Sequence, residues 1–339
     1  YILVGFMKPK RNDFIRHYGV EGYKSKLRDY ISKKDDDISA KIDYIQILLK
    51  TEEYGEFKKE YHSLRRVSAS PALIREFAKY LLFIDKDFER AKKILSSLSE
   101  KDRLQPAWVH YFGGKRNVYL EKLCEGVLYT AIPKNASTSL KTFILESVLK
   151  EKGLNPHSVF GNPFFSSCYH TPDVIQKSKK VVVLRKPEAR FVSYHTKNIL
   201  AEDSLAFEYG TTSDREKSEL FGLKLKPTLE ELVSDFPRYC LVFNDVFHHT
   251  LPQAAYVGDL SLYDYICDVS EVDSLVSHVA NWLGLSHMKE TKAPKKMVGV
   301  KRKEKVDDAI AGKIKKIYSD DYAMLSFSGE NTRLTDGVK

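Results

Sequence analysis

Apolar side chains return at helical spacing between residues 38 and 98, whereas two later stretches, 127–132 (VLYTAI) and 181–184 (VVVL), are near-continuous runs rich in β-branched and aromatic residues. The first pattern predicts helices packed through one face, the second predicts strands buried on both faces of a parallel sheet. Each run leads into an amphipathic segment. Residues 139–150 carry Leu140, Phe143, Ile144, Val148 and Leu149 at helical intervals after the first run, and Pro187 breaks the second before a helix predicted from about Glu188. The pattern therefore predicts an all-helical N-terminal domain over 1–113, joined near Gln105-Pro106 or Gly113-Gly114 to an α/β domain over 114–339 with a central parallel sheet flanked by helices.

The helical region is weakly self-similar. LLKTEEYGEFKKEY (48–61) aligns with LFIDKDFERAKKIL (82–95) at an offset of 34, which places Tyr54 over Phe88, Phe57 over Ala91 and Tyr61 over Leu95. That period loosely resembles the tetratricopeptide helix–turn–helix, although two units are visible where about three are usually needed for a stable array. A plain helical bundle accounts for the same spacing. In either case the domain is a candidate surface for a protein partner.

Composition narrows the classes. A chain of 339 residues, 42% hydrophobic, is long enough for two cores, and its net charge of +9 suits an anionic partner. Nucleic acid is disfavoured, because basic residues are interspersed with acidic ones and no helix-turn-helix, zinc-finger or RNP signature is present. No apolar run approaches the ~18 residues of a membrane span. No signal peptide is visible, yet the chain begins at Tyr1, so an upstream anchor could have been removed. Cys124, Cys168, Cys240 and Cys267 lack CxxC spacing, which argues for reduced thiols over a zinc site. The single N-x-[ST] sequon, Asn135-Ala136-Ser137, falls in a candidate ligand loop where a glycan would block the site. A cytoplasmic protein is the expectation, with a lumenal, membrane-anchored one as the alternative if residues were trimmed.

That loop, IPKNASTSLK, lies between the first apolar run and its helix. Asn135, Ala136, Ser137, Thr138 and Ser139 are small enough for their backbone N–H groups to approach a ligand at a helix N-terminus, where the peptide dipoles favour an anion. Lys134 adds a point charge. An ordinary N-capped helix after a strand would also explain the Ser and Thr residues. The stretch has no glycine and its lysine stands at the front, unlike the Walker A loop of ATPases and kinases. It resembles instead the 5′-phosphosulfate loop of sulfotransferases, which use 3′-phosphoadenosine 5′-phosphosulfate (PAPS).

Fifty residues on, VVVLRKPEARFVS sets Arg185 at a strand's carboxyl end, where open α/β sheets bind ligands, with Ser193 two helical turns further. A guanidinium can grip a phosphate with two hydrogen bonds, and a serine hydroxyl can complete the cradle. Pairing of Arg185 with a carboxylate such as Glu188 is the structural alternative. The spacing of Arg185, Pro187, Arg190, Phe191 and Ser193 is similar to the 3′-phosphate element of sulfotransferases, R-[DN]-P-x-x-R-[FL]-x-S, departing from it at Lys186. Further on, DVFHHTLPQAAYVGDL (245–260) resembles a segment of the glycan O-sulfotransferase branch through His249, Pro252 and Gln253, and DYICDVSEVDSLVSHVANWLGL its following strand and helix. KAPKK (292–296) and IYSDDY (317–322) are similar to that family's basic loop and C-terminal helix. The resemblance spans about 125–328.

It implies a P-loop-like α/β fold and transfer of a sulfuryl group from PAPS to a hydroxyl of a saccharide or polysaccharide, without a metal. PAPS would be held by Lys134, Asn135, Ala136, Ser137, Thr138, Ser139, Arg185, Ser193, Lys295 and Lys296, with Lys134 also stabilising the leaving oxygen. His170 occupies the place where some glycan 2-O-sulfotransferases carry a catalytic base, and histidine titrates near neutrality as a base should. His157, Glu146 and Glu151 are the other options between the two elements, and His248 and His249 would shape the acceptor cleft. A lipid, tyrosine or small-metabolite acceptor, and an inactive nucleotide-binding scaffold, are the rival expectations.

Overall fold

In the computed structural model the two near-continuous runs are adjacent strands of one sheet. Residues 11–98, 107–114, 120–156, 159, 172–206, 222–285 and 306–331 are described. Among them β1 (Glu121–Cys124), β2 (Val127–Thr130), β3 (Lys179–Leu184) and β4 (Tyr265–Asp268) form a four-stranded sheet in that order. β2, β3 and β4 run parallel, and β1 pairs antiparallel to β2. The central parallel strands are as expected, and β1 adds an antiparallel edge strand to them. A connection through Glu125 and Gly126 can only reverse the chain, and Gly126 takes φ 72, a conformation that suits glycine.

Alternation explains how the sheet is covered. Val127, Tyr129, Val181, Val183 and Cys267 share one face with the register Val181↔Tyr265, and pack on Leu140, Phe143 and Ile144 of one helix and on Leu275, Val276 and Val279 of another, Val272–Trp282. Leu128, Val182 and Leu184 point the other way and are also buried. Burial on both faces is why these strands read as unbroken apolar runs. The first of the two helices begins at Ser137, two residues before the predicted Ser139, because Ala136 already acts as its left-handed N-cap and accepts the Leu140 amide at 3.1 Å. It spans Ser137–Phe143 and widens into a π-helical turn, Ile144–Val148. The helix after β3 spans Pro187–Tyr194, with the proline in its first turn as the sequence predicts.

The chain divides into two compact units, residues 1–99 with 198–247, and 100–197 with 248–339. The first is helical throughout its described part. Helices Ile38–Lys50 and Tyr54–Val67 form one pair, and Pro71–Tyr80 with its extension to Asp85 and Phe88–Ser96 form the next. The 34-residue offset holds in three dimensions at the corners. Glu52 (φ 63) and Lys86 (φ 55), 34 apart, are both left-handed, and each is followed by the N-cap of the next helix, Glu53 and Asp87. The aligned Phe57 and Ala91, and Tyr61 and Leu95, are all buried, whereas in the aligned pair Tyr54 and Phe88 the first is half-buried and the second exposed. Helix Phe236–Val242 packs against the first helix of the first pair and the end of the second, with Arg238 paired to Glu52 at 2.5 Å.

Cys124, Cys240 and Cys267 are free and buried, and burial pushes the thiols of Cys124 and Cys267 up to about 12. A low thiolate fraction and closed access both slow attack. In an Ellman's assay of the native protein these three thiols should react much more slowly than after urea unfolding. Rapid native reaction of all three would contradict the packing described.

Candidate active site

The loop after β2 is strained on both sides of one buried residue. Lys134 (φ 69) and Ala136 (φ 59) are left-handed without being glycine, at a cost of roughly 1 kcal/mol each. Such strain persists only where the surroundings hold it. Asn135 between them is fully buried, and its Nδ2 donates to the Val183 carbonyl at 2.8 Å and to Gln253 Oε1 at 2.6 Å. Both partners are acceptors, which fixes the orientation of the amide. Lys134 in turn offers its carbonyl to Arg185 Nη1 at 2.9 Å. The loop is therefore tied to β3 at its last turn before the helix, and Ser137, Thr138 and Ser139 form the first turn of that helix.

Arg185 follows β3 at its carboxyl end. Burial pulls its pKa below the usual arginine value; Asp268 at the end of β4 opposes this and Arg190 adds to it. A cation partly removed from water gains from an arriving anion what it has lost in hydration. The Arg185 backbone is saturated by the fully buried Gln253, whose Oε1 accepts the Arg185 amide at 3.0 Å and whose Nε2 donates to the Arg185 carbonyl at 2.8 Å.

Gln253 is held from behind by Asp321. The carboxylate accepts the Gln253 amide on Oδ2 at 3.0 Å and the Ala254 amide on Oδ1 at 2.9 Å, while Gln253 Nε2 lies 3.4 Å from Oδ2. Burial pushes the Asp321 carboxyl up, and Arg190 with the two backbone amides pulls it back down. Arg190 is itself 2% exposed; its Nε donates to the Pro133 carbonyl and its Nη2 to the His249 carbonyl, both at 3.0 Å. It joins the loop to helix Asn244–Thr250, whose His249 ring stacks on Tyr194 with centroids 5.5 Å apart.

The structure thus brings Lys134, Asn135 and Arg185 together at the carboxyl ends of β2 and β3. Ser193 is half-buried on the last turn of helix Pro187–Tyr194, and Glu146 lies in the π-helical turn. His248 is exposed and His249 half-buried on their helix, the His248 carbonyl accepting from the Tyr256 hydroxyl. His157, His170, Lys295 and Lys296 lie outside the described residues. Gln253, Asp321 and Arg190 were not expected among the site residues. Their signal was present only as the Pro-Gln, Asp-Asp and second-Arg positions of the stretches quoted above.

An Asp321→Asn substitution would turn an NH2 group toward one of the two backbone N–H donors that the carboxylate now satisfies. The variant is expected to lose about 1–3 kcal/mol of stability in urea unfolding, the cost of a buried donor without an acceptor. Unchanged stability would mean that these bonds contribute little.

The chain matches the model of the Sulfotransferase family over residues 124–328, more than half its length, from the end of β1 into the helix Ser319–Asn331 that carries Asp321. No curated protein and no solved structure matches it significantly. The extent of the family match, which runs through the Lys134 loop, Arg185 and the residues that tie them, places this chain in the sulfotransferase family.

Proposed function

We propose that this protein transfers a sulfuryl group from PAPS to a hydroxyl of a saccharide or polysaccharide. Family membership supports sulfate transfer in general, and the donor and acceptor go beyond it. One observation carries the choice of donor. Two elements suited to anions, the Lys134 loop and Arg185, stand side by side and are bonded to each other through the Lys134 carbonyl. A ligand with phosphate groups at both ends of a nucleoside would engage both. The desolvated guanidinium and the small-residue loop fit such a ligand.

PAPS supplies the sulfuryl group and a phosphate as the leaving group. The loop amides from Ala136 to Ser139 and the Lys134 ammonium would hold the 5′ end, with Arg185, Ser193, Lys295 and Lys296 at the 3′-phosphate; the Asn135 amide, expected to join them, already donates to the Ile132 carbonyl at 3.2 Å, so Asn135 shapes the loop instead. In this respect the strand–loop–helix is P-loop-like. Transfer forms an S–O bond to the acceptor oxygen and breaks the one to the 5′-phosphate. The hydroxyl proton passes to His170, and Lys134 balances the charge left on the departing oxygen. No metal is assigned a part. His248 and His249, on a helix tied to the loop by Arg190, would face the acceptor, and the net charge of +9 suits a glycan bearing acidic groups. The two helix pairs of the N-terminal unit, with equivalent left-handed corners at Glu52 and Lys86, support a tetratricopeptide-like module that docks a protein partner.

Calorimetric titration with adenosine 3′,5′-bisphosphate, against ATP and AMP without magnesium, tests the donor. Preferential binding of the bisphosphate is expected, and equal binding of all three would overturn the proposal. Lys134→Ala should lower kcat by about 10²-fold or more, as removal of a charge-stabilising donor does. Arg185→Ala should chiefly weaken bisphosphate binding, by about tenfold or more, as expected for a charge-assisted bond. His170→Ala should abolish turnover in a radiolabelled sulfate-transfer assay and leave bisphosphate affinity intact; normal turnover would assign the proton to another group.

A further inference from the structure

The side-chain amide of Gln253 touches both the Lys134 loop and the Arg185 backbone at once. Its Oε1 accepts Asn135 Nδ2 at 2.6 Å, between the two left-handed residues of the loop, and the Arg185 amide at 3.0 Å. Its Nε2 donates to the Arg185 carbonyl at 2.8 Å. β4 pairs with β3 no further than Asp268 opposite Leu184, so the Arg185 backbone lies just beyond that register, and the carboxamide bonds to both its N–H and its C=O as a peptide group of a neighbouring strand would. Gln253 has little freedom to move, being fully buried with its own backbone amide bonded to Asp321.

From this geometry we infer that Gln253, backed by Asp321, is the positioning residue that sets the spacing between the two phosphate cradles and so selects a ligand carrying two phosphates over one carrying either alone. The inference rests on the proposed binding of a 3′,5′-bisphosphate. A second point of attachment adds affinity only when its distance from the first is held fixed, since a loose spacing returns the gain as ordering entropy. With Gln253 released, Asn135 still donates to the Val183 carbonyl and Arg185 to the Lys134 carbonyl, so each cradle keeps one tie of its own. The loop keeps its lysine and amides, and Arg185 keeps its guanidinium, so the loss on releasing the clamp falls on the pair.

The test is a set of calorimetric affinities of the full chain for adenosine 3′,5′-bisphosphate, adenosine 5′-monophosphate and adenosine 3′-monophosphate. Gln253→Met is close in size and uncharged but cannot bond to the Arg185 backbone or to Asn135, and Asp321→Asn loosens the support one bond further from the cradles. Both are read at a temperature where circular dichroism shows them folded. In each variant the preference for the bisphosphate over either monophosphate should shrink by about tenfold. The monophosphate affinities should fall less than the bisphosphate affinity. A loss of folded protein alone would scale down the binding of all three ligands together and leave the ratio unchanged. An unchanged ratio in both variants overturns the inference. Absence of any preference in the unsubstituted protein would instead overturn the donor assignment.

Discussion

A carboxylate can stay buried only if its oxygens are bonded, and Asp321 meets that condition by taking the backbone amides at the start of one short segment, Gln253 and Ala254. Much of the carboxyl end of β2 and β3 follows from where that segment is set down. Once it is fixed, the Gln253 side chain has one place to go, and it closes the end of β3 while gripping Asn135. The left-handed backbone at Lys134 and Ala136 is then held by bonds made elsewhere in the chain. Arg190 works in parallel, joining Pro133 to the helix that bears His248 and His249. Polar contacts of this kind contribute modestly to net stability but strongly to uniqueness, because losing one leaves a buried donor or acceptor unmet.

The parts of this architecture legible from the chain are those governed by short-range rules. Val181 to Leu184 announced a central strand because both of its faces are covered, and Pro187 marked a helix start because its fixed φ suits a first turn. The 34-residue offset was legible because equivalent corners impose equivalent backbone. β1 was not, since the four residues Glu121–Cys124 alternate only partly and owe their extended form to pairing with β2. Nor was the contribution of Phe236–Val242 to the helical unit, to which it returns from far along the chain.

The candidate site divides along the same line. Lys134 and Arg185 could be named because their chemistry and their positions after strands are local properties. Gln253 and Asp321 could not be assigned a role, because a glutamine or an aspartate acquires one only from partners that are 118 and 68 residues away. Left-handed conformation at a lysine and an alanine is likewise invisible to propensity, which reserves that region for glycine and asparagine. A composition of small and hydroxylated residues marked the loop, and long-range bonds decided its shape.

The burial of Asn135 also bears on how the chain can be made. Its amide nitrogen, the atom that N-linked glycosylation modifies, lies between two acceptor oxygens of the folded protein with no exposed surface. Attachment of a sugar and closure of the loop are mutually exclusive at this atom. In a host whose secretory pathway modifies nascent sequons, the two compete in time, and a molecule modified first is barred from this loop conformation. The yield of competent protein from such a host would be set by a race between an oligosaccharide transfer and a folding step, whereas a host without that machinery imposes no such division.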